Sequence, residues 1–329
     1  MDIEYGTPFT GRKLERVKEF LRKSELDYDA GVQFTVCVWE GDEIIATGSL
    51  DKNVLKCIAV SPLHQGEGLS ATVISELRKE AFQRGHSHLF LFTKPKNRWM
   101  FEDLSFFTIA QAPGMMLLEN QRNGLKDFVA SLKRAPVDGV IGCAVMNCNP
   151  FTLGHRYLIE TAAAQCDWLH IFVLSEDKSL FPTEVRRSLV EQGVADLKNV
   201  TVHPTGDYLI SSATFPSYFI KDKSQVGDIQ CELDLEIFSR HFAPALGITR
   251  RFVGSEPLSP VTNAYNQKMK EYLPPRGIEV FELERKETLG APISASRVRA
   301  LLEQKDADTL RQLVPPTTFA YLEEHFLNK

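Results

Sequence analysis

From residue 140 onward, short apolar runs alternate with amphipathic stretches, and this alternation restricts the fold more than any other feature of the chain. Val140–Met146 reads as a strand, Gly154–Cys166 as a helix and Trp168–Leu174 as a strand. Glu184–Asp196 reads as a helix, Val200–Pro204 as a short strand, Leu233–Leu246 as a helix and Arg251–Gly254 as a strand. Asn263–Leu273 then reads as a helix, Ile278–Leu283 as a strand and Arg297–Gln304 as a helix. These assignments follow from apolar periodicity. Strands that alternate with helices predict a parallel sheet covered on both faces. Such sheets bind ligands beyond the carboxyl ends of their strands.

One strand end carries more chemistry than the rest. The run Gly142-Cys-Ala-Val-Met146 breaks at Asn149-Pro150, passes Phe151 and closes on Thr152-Leu153-Gly154-His155. Gly154 permits close approach of backbone to an anion. The helix that follows points its N–H groups and positive dipole end at the same place. Thr152 supplies a hydroxyl, and His155 can donate to a phosphoryl oxygen. Far downstream, Ile293-Ser294-Ala295-Ser296-Arg297-Val298-Arg299 opens a second helix with two hydroxyls and a guanidinium suited to phosphate. Two helix tips on one polyphosphate would stabilise a departing pyrophosphate by electrostatics and positioning alone. These residues therefore point to an enzyme that splits ATP between its α- and β-phosphates. Lys178, after the second strand, is a candidate phosphate or carboxylate contact, and Gly254-Ser255-Glu256-Pro257 is a candidate nucleotide contact at another strand end. In Arg186-Arg187 one residue faces the site or both face solvent, and Lys221 and Lys223 read as solvated.

The first 135 residues follow a different pattern. Phe34–Trp39, Ile44–Leu50 and Leu55–Val60 read as a β-meander with a turn at Glu40–Glu43. Pro62 stops the third strand. Gln65-Gly66-Glu67-Gly68-Leu69-Ser70 leads into an amphipathic helix over Leu69–Arg84, with Leu69, Val73, Ile74, Leu77 and Ala81 on one stripe. His88–Phe92 and Met115–Leu118 read as further strands. Pro136-Val137-Asp138-Gly139 punctuates the chain, which sets expected domains of 1–135 and 136–329.

Length allows two domains, and a net charge of −5 argues against general nucleic-acid binding. The N-terminus has no apolar signal region, and no apolar run is long enough to span a bilayer. Six scattered cysteines without a C-x-x-C pair predict no zinc site, reduced thiols and a cytoplasmic location.

The pair Thr152-x-Gly154-His155 and Ile293-Ser-Ala-Ser-Arg-Val-Arg299 resembles the motifs of the adenylyl- and cytidylyltransferase superfamily. Ala295 stands where that family carries a hydroxyl. The resemblance implies a Rossmann-like parallel-sheet nucleotidyltransferase domain that binds ATP, with Mg²⁺ carried by the phosphates and no protein-held metal. It implies ATP contacts at Asn149, Pro150, Phe151, Gly154, Gly254, Ser255, Glu256, Ile293, Ser294 and Ser296, and catalytic roles for His155, Thr152, Lys178 and Arg299. Gln65 to Ser70, after a strand, resembles the pyrophosphate loop of the GCN5-related acetyltransferases. That likeness implies an acetyltransferase-like α+β domain that grips a coenzyme A-like arm through Gln65, Gly66, Gly68 and Ser70.

The two domains in this order resemble the citrate lyase ligase family. The resemblance implies activation of acetate as acetyl-adenylate, then acetylation of the dephospho-coenzyme A-derived thiol on the acyl carrier subunit of citrate lyase. Alternative readings are a cofactor-forming adenylyltransferase of phosphopantetheine or nicotinamide type, an N-acetyltransferase with a nucleotide-sensing domain, and a non-catalytic nucleotide binder.

Overall fold

The computed structural model describes residues 1–175, 179–209, 218–220, 226–256 and 259–328. Two compact units emerge: residues 1–124 with the described part of 214–233, and residues 125–213 with 234–329.

In the first unit the chain runs β1 (Asp2–Gly6), α1 (Gly11–Lys23), β2 (Phe34–Glu40), β3 (Glu43–Asp51), β4 (Val54–Val60) and α2 (Leu69–Gln83). It continues through β5 (Phe90–Thr93), α3 (Arg98–Asp103), β6 (Phe107–Ala112) and β7 (Met115–Glu119). The sheet order is β1-β2-β3-β4-β5-β7-β6. Its pairs are antiparallel except β4 with β5. The expected meander is there, and so is the expected helix, with Val73, Leu77 and Ala81 fully buried against strand residues such as Val36, Leu50 and Leu55. Strand β1 and helix α1 lay outside the sequence reading. α1 buries only Val17 and Leu21, and an apolar signal that sparse is easily passed over.

Strands β4 and β5 pair only at Val54–Phe90 and Leu55–Leu91. Beyond that point no rung joins them. Ile58–Val60 and Phe92–Thr93 line a cavity of about 650 Å³ instead, together with the loop residues Gln65, Gly66, Gly68 and Ser70. The parting strands place the glycine loop at a pocket.

The remaining elements are α4 (Gly124–Ser131), β8 (Ile141–Met146), α5 (Leu153–Ala163), β9 (Trp168–Val173), α6 (Thr183–Gly193) and β10 (Val200–Pro204). After them come α7 (Val226–Ile237), a π-turn at Phe238–Phe242, α8 (Ala243–Leu246), β11 (Ile248–Gly254), α9 (Pro260–Tyr272) and β12 (Glu279–Leu283). The chain closes with β13 (Glu287–Thr288), β14 (Ala291–Pro292), α10 (Ala295–Glu303), α11 (Ala307–Leu313) and α12 (Pro316–Leu322). The expected single helix over 233–246 is thus interrupted by the π-turn.

The second sheet is parallel, in the order β10-β9-β8-β11-β12. Numbered by appearance within the unit, the order is 3-2-1-4-5, the doubly wound arrangement. It reverses direction between β8 and β11, where crevices for nucleotides form. A core built on Ile171, Val173, Ile159 and Phe252 fixes the sheet, and a second cluster joins Phe181 and Ile293 to Val298, Leu302 and Leu310. The second cluster holds the start of α10 where the site lies.

Candidate functional site

The loops after β8 and β9 are stitched together by one buried guanidinium. Arg186, on α6, has no exposed surface. It donates to Asn147 O and Leu174 O at 2.8 Å, to Asn147 Oδ1 at 2.7 Å, to Thr183 Oγ1 at 2.9 Å and to Phe181 O at 3.0 Å. A buried cation is tolerable only when its donors are satisfied this fully. Of the arginine pair singled out in the sequence, Arg186 is therefore structural. Arg187 is half-buried and pairs with Glu184 and Glu191. Asn149 is also a brace: its Oδ1 accepts from Phe181 N at 3.2 Å, and its neighbour Pro150 is buried.

The tip of α5 is closed by a reciprocal cap. Thr152 Oγ1 accepts from His155 N at 3.3 Å, and His155 Nδ1 accepts from Thr152 N at 3.1 Å. Because Nδ1 accepts, the neutral ring must carry its proton on Nε2. That nitrogen has no partner among the described residues and is free to donate. Phe151 is fully buried and stacks on the imidazole, with ring centroids 6.0 Å apart and planes at 13°. Burial, and secondarily the Arg285 charge, pushes the His155 pKa down to about 4, so the ring is neutral at pH 7. Thr152 is 1% exposed, and its hydroxyl is engaged within the cap. Its contribution is to hold His155.

The downstream motif meets this tip directly. A Cβ on Gly154 would lie 2.8 Å from Ile293 O, so only glycine lets α5 and the 293–299 segment approach this closely. Ser294 caps α10 by accepting from Arg297 N at 3.2 Å. Arg299 spans the two motifs: one Nη donates to Asn149 O and the other to Ser296 Oγ at 3.1 Å. Ser296 is exposed and Ile293 is buried.

Gly254 and Ser255, at the end of β11, are half-buried, and Gly254 O accepts from Asn266 Nδ2 at 2.9 Å. Ser255, Glu256, Pro260, Asn263 and Glu282 line a cleft of about 400 Å³. Glu256 is paired with Arg285, which sequence reading missed. Its one sequence signal is a basic residue just past the end of a strand in a parallel sheet. Lys178 and Pro257, like Lys221 and Lys223, lie outside the described residues.

In the first unit, Gly66 and Gly68 adopt φ values of +88° and +77°, which glycine reaches without strain. No side chain caps α2, so its first-turn N–H groups face the cavity loop unclaimed by a cap. Gln65, Gly66 and Gly68 are exposed, and Ser70 Oγ reaches Met100 Sδ at 3.7 Å. Among the described residues, no three His, Cys, Asp or Glu side chains are grouped to hold a metal, and no helix is long and apolar enough to cross a membrane.

A family model described as the citrate lyase ligase C-terminal domain matches residues 141–322, and the acetyltransferase (GNAT) family model matches residues 4–102. The chain is 45% identical over 321 residues to the citrate (pro-3S)-lyase ligase of Escherichia coli K12, covering 95% of this chain and 91% of that one. The chain belongs to the citrate lyase ligase family. The protein of the same name from Klebsiella pneumoniae is 46% identical over 314 residues, covering 94% and 92% of the two chains. The one from Haemophilus influenzae is 41% identical over 322 residues, covering 95% and 96%. The family likeness matches the two sheets described above: an acetyltransferase fold at the N-terminus and a nucleotidyltransferase-like fold after it.

Proposed function

We propose that this citrate lyase ligase family member activates acetate with ATP and passes the acetyl group to the prosthetic-group thiol on the acyl carrier subunit of citrate lyase. An acetate oxygen attacks the α-phosphorus, and the bond from that phosphorus to the bridging oxygen of the β-phosphate breaks. Acetyl-adenylate forms and pyrophosphate leaves. The carrier thiol, having lost its proton to solvent, then attacks the acetyl carbonyl. The acyl–oxygen bond breaks, and AMP departs as the thioester forms.

The observation that carries this reading is the meeting of the capped α5 tip with the 293–299 segment. His155 Nε2–H donates to the phosphate whose charge grows as pyrophosphate leaves. Being neutral and half-buried, the imidazole stabilises that charge without surrendering its proton. Thr152 fixes its tautomer, and Gly154, Ser294, Ser296 and Arg299 complete the cradle. Lys178, which follows β9 in the sequence and lies outside the described residues, is proposed to join them, while Gly254 and Ser255 meet the nucleoside. Mg²⁺ enters on the ATP phosphates. The glycine loop and cavity of the first unit receive the pantetheine-like arm, whose pyrophosphate suits uncapped helix N–H groups.

The test is product analysis of the full-length protein with ATP, acetate and the thiol-bearing carrier. Equal amounts of AMP, pyrophosphate and acetylated carrier are expected, and pyrophosphate should require a carboxylate. A dinucleotide formed from a phosphorylated pantetheine or nicotinamide compound would overturn the reading in favour of a cofactor-forming adenylyltransferase.

A further inference from the structure

Among the described residues, the cradle holds little positive charge for a triphosphate beyond Arg299. His155 is neutral, the hydroxyls of Thr152, Ser294 and Ser296 carry no charge, and Arg299 already gives two of its donors to Asn149 O and Ser296 Oγ. A triphosphate brings about four negative charges at neutral pH, and a site that binds it through the transition state needs cations placed beforehand. Arg285 is positioned to supply one. It lies two residues past β12, and its Nε donates to Ser255 O at 2.7 Å. The adjacent Lys286 O accepts from Ile293 N at 3.0 Å, and Ile293 O is the atom that a Gly154 Cβ would touch. Arg285 is thus two backbone contacts from the α5 tip, near enough for its charge to bear on His155. Its side chain is 26% exposed and that of Glu256, its partner, 16%.

We propose that Arg285 is a further phosphate-binding residue of this site, kept in place by Glu256 and passed to the β- and γ-phosphates of the entering nucleotide. The inference rests on the reading of the His155 cleft as the triphosphate site. A guanidinium left alone in a half-buried cleft would suffer desolvation, and its ion pair with Glu256 offsets that cost. A phosphate accepts from the same planar fork as a carboxylate, so Arg285 can exchange Glu256 for phosphate by rotation of its side chain. Glu256 is left on the wall of the 400 Å³ cleft, where an acceptor-only group suits ribose hydroxyls better than phosphate.

The experiment measures ATP and AMP affinity by calorimetry for the full-length protein and for Arg285→Ala, Arg285→Lys and His155→Ala, with thermal melts to confirm folding. Arg285→Ala should weaken ATP by at least about tenfold and leave AMP unchanged, the scale of a lost charge-assisted hydrogen bond. Arg285→Lys, which keeps the charge without the fork, should fall between. Equal weakening of ATP and AMP would mark Arg285 as structural and overturn the proposal. An unchanged ATP preference in Arg285→Ala, with that preference lost in His155→Ala, would overturn the Arg285 assignment and leave the site standing. Preference unchanged in both would remove the site and the inference together.

Discussion

Both halves of this molecule place a helix tip after a strand, yet they finish it in opposite ways. At α2 the tip is backbone: two left-handed glycines lead in, and no side chain caps the first turn. At α5 the tip is built from side chains: Thr152 and His155 cap each other and consume the nearest backbone donor. A bare tip offers several equivalent donors, which suits an anion that only needs to be held. A capped tip fixes one donor, His155 Nε2–H, in one direction. Chemistry at a single phosphorus requires that directionality. Under the proposed function, the contrast corresponds to binding in the first unit and bond-breaking in the second.

The sharpest way to break the contrast is to spoil one tip at a time. Gly154→Val places a side chain against Ile293 O, a backbone atom that cannot step aside. Misplacement on this scale should lower acetate-dependent ATP–pyrophosphate exchange by about a hundredfold or more. Exchange within a few-fold of wild type would show that the two motifs need not touch. Gly68→Val meets no neighbour, and its cost is conformational, on the order of 1–2 kcal/mol for a left-handed residue. It should raise the KM for the carrier by about tenfold while exchange stays near wild type. A loss of exchange would collapse the division of labour.

The smallest expected effect comes from pH. Backbone donors do not titrate, whereas His155, His170 and His203 in the second unit have depressed pKa values. His155 and His170 are held down to about 4 and His203 to about 3, each chiefly by burial. His170 Nδ1 and His203 Nε2 lie 2.9 Å apart between neighbouring strands. The unfolded chain takes up these protons near the ordinary imidazole value of about 6.5. Between there and about pH 4 the unfolded state binds more protons at these residues, so the histidine contribution to stability falls as pH is lowered and is constant above about pH 7. Urea midpoints should show this slope, and His203→Gln should reduce it. A midpoint unchanged from pH 7 to pH 4.5 would contradict the neutral assignments.

The sequence disclosed more of the fold than of the site's supports. Strands β8 and β9 and helix α5 were legible because a fully buried strand reads as an unbroken apolar run and a half-buried helix as a stripe. The junction of Gly154 with Ile293 was legible only as two motifs, since nothing local reveals that a distant carbonyl will lie against a particular glycine. Arg186 and Arg285 show the same limit. One is wholly buried under carbonyls and the other is paired with Glu256, yet in sequence both are basic residues beside other polar ones. Such burial is decided by which strand ends become neighbours, and that depends on the sheet order and not on any local pattern.

The most direct test of the account is ATP–pyrophosphate exchange with and without acetate in the full-length protein and its His155→Ala variant, each shown to be folded by circular dichroism. The account predicts acetate-dependent exchange in the parent and a loss of at least about a hundredfold in the variant, the scale of removing one fixed donor from a developing charge. Undiminished exchange in a folded His155→Ala protein would contradict it.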